Sequence, residues 1–345
     1  MASLQLTLMN VPARRGDRVA WADIAKAFSM ILLVGYTLRG DALYVNQMLT
    51  FLRMPLFFFV SGLFGYRIVT TTSFRELLRD KVLSFIYLYV LWECVLYLLI
   101  KVVSFNVQGY PPPEALRVLS LLWNPLFNIW FLYALALAFL IAWALRRSPA
   151  WVVLAGSLVV YAASVASDPW TALPFLERLA RLFPYFWLGL MLRPVSFTIV
   201  ERHWRLWPVV LAVFLAAAYL AFPTVWSHVG LVTFAISLTG IAGTLMLARQ
   251  VSALPALAAP LGYIGGATLY IYVLHKVVIF YSELAMNLTG THFRGEELVQ
   301  LAVTVPLCAV AGRWIAGQPA LAWLFTAPWV ATRPRRAGAQ PMPAE

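Results

Sequence analysis

The stretch Trp21-Ala-Asp-Ile-Ala-Lys-Ala-Phe-Ser-Met-Ile-Leu-Leu-Val-Gly-Tyr-Thr-Leu-Arg39 decides the fold class. It is apolar over a length that crosses a bilayer as a helix, yet it keeps Asp23, Lys26 and Arg39. An ionisable group at membrane depth costs about 2.5–3.5 kcal/mol on insertion scales, so such groups face a protein interior, a partner or a substrate path. A plain anchor has no use for them.

The rest of the chain repeats the apolar pattern. Of its 345 residues, 62% are hydrophobic and only 12% charged, where soluble domains carry about 25% charged residues. Mean hydropathy is +0.80. Such a chain cannot cover itself with a wetted surface. Spanning barrels need alternating strands of about 9–11 residues, and no such alternation occurs, whereas runs of about 20 apolar residues recur. The expected fold is therefore all-α: a polytopic integral membrane protein of about ten transmembrane helices in one bundle. The spans are read near residues 22–38, 51–68, 82–103, 128–145, 150–167, 179–193, 206–222, 230–248, 261–283 and 297–317. Met1–Asn10 is polar and lacks a small-residue cleavage site, so no cleavable signal peptide is expected. Cys94 and Cys308 lie inside apolar runs and read as buried small hydrophobes.

The net charge of +12 raises nucleic acid as a partner, but its distribution argues for topology instead. Arg14, Arg15, Arg18, Arg67, Arg75, Arg79, Lys81, Arg146, Arg147, Arg202, Arg205, Arg249, Arg333, Arg335 and Arg336 fall on one side of the spans. Arg39, Arg117, Arg178 and Arg294 are nearly all that falls on the other. The positive-inside rule puts both termini in the cytoplasm. No nucleic-acid partner is expected, and the lipid bilayer is.

Three segments follow from this reading: a cytoplasmic stretch over 1–20, a membrane domain over 21–317, and an interfacial segment with a disordered tail over 318–345. The two tryptophans of Pro319–Val330 suit the membrane interface or a cap on the bundle. Prolines and aromatics in Ser104–Phe127 suggest an ordered re-entrant or interfacial loop. No strong inverted repeat and no Gly/Pro-broken span is apparent, which argues against a secondary transporter.

Chemistry is sought among the polar residues inside the spans. At about 100° per residue, Lys26, Met30, Leu33 and Thr37 form one row of the first helix, with Lys26 and Thr37 about 16 Å apart. Asp23 and Lys26 are placed to pair at the cytoplasmic end, so a snorkelling lysine in an interfacial ion pair is the plain alternative to a functional one. Glu93 lies near the middle of the third span, and His275 with Lys276 past the middle of the ninth. Each reads either as a structural contact between helices or as a base or ligand in a polar cavity. Arg75, Arg79 and Lys81 form a basic group at the membrane edge, suited to donor phosphates or to anionic lipid. His203, His228 and His292 have no metal-ligand spacing, and no metal site is expected.

Several of these stretches resemble the acyltransferase 3 family, and more narrowly its fucose 4-O-acetylase-like branch. They are Asp23-Ile-Ala-Lys26, Gly35-Tyr-Thr-Leu-Arg39, Met54-Pro-Leu-Phe-Phe-Phe-Val-Ser-Gly62, Trp130-Phe-Leu-Tyr133 and Leu269-Tyr-Ile-Tyr-Val-Leu-His275. The resemblance covers about Trp21 to Ala316, and the Met54–Gly62 run is its most specific piece. It implies a membrane O-acyltransferase with no permanently bound cofactor. Acetyl-CoA or another acyl-CoA would be co-substrate, and the acceptor a hydroxyl of a glycan or lipid-linked sugar for export, at the cell inner membrane. Taken with the residues read above, this makes Lys26, Tyr36, Thr37, His275 and Glu93 the catalytic candidates, Arg75, Arg79 and Lys81 the expected acyl-donor site, and Arg39 and Arg53 the expected acceptor side. A homo-oligomer is left open.

One part of the family pattern is missing. Family members carry a basic residue in the first span and, ten intervening residues later, a histidine. Lys26 takes the basic position, but the expected Gly-His-Thr reads Gly35-Tyr36-Thr37, and the segment is one residue short. Tyrosine, with a reference pKa near ~10, is a poor base at neutral pH. Thr37 restores the helical face but not the basicity. Three explanations stay open: another group such as His275 or Glu93 takes over, Tyr36 only positions the acceptor, or transfer has been lost. The competing classes are a transporter or flippase for a lipid-linked sugar or small solute, and a silent member of a polysaccharide assembly complex. Consumption of thioester separates the enzyme from both.

Overall fold

The computed structural model describes residues 19–39, 44–102, 129–167 and 174–331. The expected loop Ser104–Phe127, the N-terminal stretch before residue 19 and the tail after Arg333 lie outside these. Among the described residues the protein is helical and contains no strand.

Helix α1 is Ala20–Arg39, α2 the short Tyr44–Met48, and α3 Thr50–Thr71. Helix α4 runs over Phe74–Ile100 and opens into wide i→i+5 turns at Leu78–Val82 and from Tyr97 onward. Then come α5 Trp130–Leu145, α6 Ala150–Ala166, α7 Pro174–Met191, α8 Arg193–His203 and α9 Trp207–Ala221. The series closes with α10 Gly230–Ser252, α11 Pro255–Gly265, α12 Thr268–Thr289, α13 Glu296–Gly317 and the short α14 Pro328–Ala331.

Among the described residues, seven helices are long and apolar enough to cross a membrane, and α5 and α6 are shorter apolar helices. Helix α7 occupies the expected sixth span, but Glu177, Arg178 and Arg181 crowd its first half. The ninth expected span, 261–283, is two helices. Its chain breaks at Gly265–Ala267, where α11 ends and α12 begins. The reading that no span is broken by glycine is thereby corrected. The physical reason is a close approach: a Cβ on Gly265 would meet the carbonyl oxygen of Asp23. The end of α11 therefore abuts the start of α1.

Helix α1 is central. It packs on α3, α10, α11, α12 and α13, and Ile24, Ala25, Ala27 and Val34 are fully buried. It runs antiparallel to α3, with Lys26 over the ring of Phe64 at one end and Tyr36 under the guanidinium of Arg53 at the other.

The Met54–Gly62 run builds the middle of the core. Leu56, Phe58, Phe59 and Val60 are buried, and Phe57 and Phe58 set their rings edge-on to Phe131 of α5 at 4.4 and 5.2 Å. Gly62 ends the run because α7 touches it there. A Cβ on Gly62 would meet the Phe186 carbonyl oxygen, and one on Gly189 the Phe59 carbonyl oxygen. Two facing glycines let the helix backbones meet, the small-residue packing usual between membrane helices. By contrast α6, α9 and α13 expose apolar side chains such as Val159, Val209, Leu220 and Val310, as befits faces turned to lipid.

At the Lys26 end of the bundle, Ser73 and Glu76 form a reciprocal capping box that starts α4. Residues 321–329 fold back on α4. Tyr87 Oη donates to the Trp323 carbonyl (3.1 Å), Trp92 Nε1 to that of Leu324 (2.7 Å), and Trp329 Nε1 to that of Arg79 (3.0 Å).

Candidate active site

The break between α11 and α12 shapes one end of the site. A wide recess opens there between Val19, Ala22, Asp23, Lys26, Phe64, Gly265, Gly266 and Thr268. Lys26 Nζ lies 2.8 Å from Asp23 Oδ1, with both side chains partly exposed.

One helical turn further along α1 the wall becomes apolar. A narrow slot lies between α1, α3, α5 and α12. Met30, Leu33, Met54, Phe57 and Phe131 supply its apolar lining, and Ser29, Arg53 and Tyr272 its polar lining. Ser29 Oγ donates back to the Ala25 carbonyl (3.3 Å), which keeps its oxygen on its own helix. Tyr272 Oη accepts the backbone N–H of Phe131 (3.2 Å) and so ties α12 to the start of α5.

Next along the row comes Thr37, which meets His275. Thr37 Oγ1 is 3.3 Å from His275 Nε2 and 3.1 Å from the Leu33 carbonyl oxygen. The other imidazole nitrogen, Nδ1, faces the Ile271 carbonyl at 3.0 Å. A carbonyl oxygen only accepts, so Nδ1 carries the proton and Nε2 turns its lone pair toward Thr37. A backbone carbonyl thus sets the tautomer of the imidazole and leaves Nε2 as the acceptor. His275 is 1% exposed.

Beside this pair, Arg53 lies with its guanidinium carbon 3.8 Å from the centre of the Tyr36 ring. Arg53 is buried and donates to Thr50 Oγ1 at 2.7 Å. Arg39 ends α1, and its side chain lies outside the described residues.

The remaining candidates are spread out. Glu93 is fully buried on α4 and interacts electrostatically with Tyr89, Tyr272 and Lys276. It faces α12 from the opposite element to α1. Arg79 pairs with Asp80 at 2.9 Å, Arg75 is exposed and Lys81 half-buried, all on the turn between α3 and the body of α4. The structure therefore unites Thr37 with His275 and Tyr36 with Arg53. It leaves Lys26 at the recess, Glu93 behind α12, and the Arg75 group beyond the recess lining.

Two residues escaped the sequence reading. Tyr272 lines the slot one turn before His275. Arg178 on α7 lies over the Trp130 ring at 5.0 Å and interacts electrostatically with Tyr272, Tyr36 and Tyr89. The signal for Arg178 was the run Glu177-Arg178-Leu-Ala-Arg181, too charged for lipid and too apolar around it for a free loop.

A family model described as an acyltransferase domain matches residues 19–313, most of the described bundle. No curated protein and no solved structure matches the chain significantly.

Proposed function

Since the chain belongs to this family of acyltransferase domains and is a membrane acyltransferase, we propose that it transfers an acetyl group from cytoplasmic acetyl-CoA to a sugar hydroxyl. The acceptor is a polysaccharide, a lipopolysaccharide or a lipo-oligosaccharide, as in the fucose 4-O-acetylase-like branch. The setting is the cell inner membrane, with both termini in the cytoplasm. The observation that carries the reading is the contact between Thr37 and His275. The histidine missing from the first span is supplied by α12, against the same face of α1.

In this reading His275 Nε2 takes the proton of the acceptor hydroxyl as its oxygen attacks the thioester carbon. The tetrahedral oxyanion collapses, the C–S bond breaks, and the imidazolium returns its proton to the departing thiolate. The products are an O-acetyl sugar and free CoA. Thr37 places the incoming hydroxyl, and Arg53 with Tyr36 orients the acceptor and meets the developing negative charge. Arg39 acts on the acceptor side at the same end. Lys26 stands about 16 Å along the helix from Thr37, which suits donor entry through the recess rather than contact with the reacting atoms. Arg75, Arg79 and Lys81 take the donor phosphates at that end, and Glu93 holds α12 from behind through Lys276.

The test measures transfer of labelled acetyl groups from acetyl-CoA to cell-surface glycans, together with free CoA, in cells carrying the wild type, a deletion or His275→Ala. Loss of both products on deletion and on His275→Ala is expected. Full transfer by His275→Ala would remove that residue from the mechanism. One observation favours a second reading: the helix broken at Gly265–Ala267 is a feature of transporters. A transporter, like a silent assembly partner, would release no CoA.

A further inference from the structure

Helix α1 presents three things in register: Ala22 and Lys26 at the recess, Ser29, Met30 and Leu33 at the slot, and Thr37 at His275. A thioester whose carbonyl carbon stands at the imidazole has its acyl group within about a turn of Leu33 and Met30. We propose that the slot is the acyl-binding site and a length gauge, admitting an acetyl group and rejecting longer chains. The inference rests on the acyl-CoA reading above.

Three observations support it. The slot adjoins the reacting pair from both sides, because Leu33 is one turn before Thr37 on α1 and Tyr272 one turn before His275 on α12. Its lining divides by chemistry. Met30, Met54, Phe57 and Phe131 offer apolar contact for a methyl group, while Arg53 and Tyr272 bring polar groups for the thioester carbonyl oxygen. Its size is also restrictive. The space open to a water-sized group is about 10 Å³, room for about one such group, which a methyl group fills. A pocket built for one methyl rejects an added methylene by about tenfold or more. The two methionines set that limit, since their unbranched side chains project into the space and are removable without touching a hydrogen bond.

The experiment uses the full chain purified in detergent and needs no acceptor. Thermal unfolding is followed with equal concentrations of CoA, acetyl-CoA and butyryl-CoA, because a ligand that binds the folded state raises the midpoint with the logarithm of its affinity. The wild type is expected to be stabilised by acetyl-CoA more than by butyryl-CoA. Met54→Ala, and independently Met30→Ala, should reverse that order, with relative affinity for butyryl-CoA rising about tenfold or more. Val60→Ala opens space in the same helix α3 away from the slot and should keep the wild-type order. An unchanged order in both methionine variants, with acetyl-CoA still bound, would overturn the gauge and leave the acyl-CoA reading intact. Absence of stabilisation by every CoA compound in the wild type would overturn both.

Discussion

Thr37 and His275, 238 positions apart in the chain, meet at 3.3 Å. One hydroxyl proton serves two acceptors there, the Leu33 carbonyl at 3.1 Å and the imidazole Nε2. A hydroxyl that can point either way is a switchable neighbour for a base, and the incoming substrate hydroxyl needs such a neighbour.

His275→Ala is therefore expected to lower transfer by about 10²–10⁴-fold, the usual contribution of a positioned general base. Thr37→Val, which removes a placing hydroxyl and no base, should cost about tenfold. The readout is the initial rate of free CoA release. Equal losses in the two variants would mean that His275 acts through Thr37 as packing and not as a base.

Tyr36→His, which restores the family's Gly-His-Thr, is expected not to raise activity. A protonated imidazole would stand against the buried Arg53 guanidinium, which now rests 3.8 Å from an electron-rich ring. Exchange of that ring loses a cation–π contact worth up to about 2 kcal/mol when desolvated. Arg53→Lys should fail for a related reason, since an ammonium lacks the flat face that stacks. Acceptor KM in the two variants is the measurement. Activity created by Tyr36→His in a protein whose deletion changes nothing would mark the chain as a lapsed enzyme.

Lys26→Met should act on the donor. Its ion pair with Asp23 is partly exposed, so stability should fall by no more than about 1 kcal/mol. The expected kinetic change is a rise of about tenfold in KM for acetyl-CoA with little change in kcat. A collapse of kcat at unchanged KM would instead put Lys26 at the reacting atoms.

Gly62→Ala tests the contact between α3 and α7. Its new methyl would run into the Phe186 carbonyl oxygen, and overpacking of this kind costs about 1–3 kcal/mol. Gly156→Ala is the matched control, because nothing stands within 4 Å of a Cβ there. It should be neutral or stabilising by about 0.5–1 kcal/mol, the helix preference for alanine. Midpoints of thermal unfolding in detergent compare the two.

Much of this architecture was legible in the sequence because its causes are local. The length of the apolar runs marks the helices, and the row Lys26–Met30–Leu33–Thr37 follows from helical rotation alone. The two facts that define the site were not local. No spacing along the chain connects Thr37 to His275, and their meeting depends on how α12 lies against α1. The break at Gly265–Ala267 was hidden because its residues remain apolar. Only the close approach of the Asp23 carbonyl explains why a glycine stands there. Arg178 and Tyr272 escaped the sequence reading for the same reason, since burial of polar groups by neighbouring helices leaves no periodic trace.

The wide turn at Leu78–Val82 gives the fold an order of assembly. Such a turn displaces a carbonyl from the regular ladder, and that of Arg79 is taken by Ser84 Oγ at 3.2 Å and by Trp329 Nε1 at 3.0 Å. The second donor lies 250 positions downstream. The basic turn is thus synthesised early and can receive this hydrogen bond only after Trp329 has been made. Residues 321–329 thereby latch the far end of the described chain onto the end of the bundle that carries the Arg75 group.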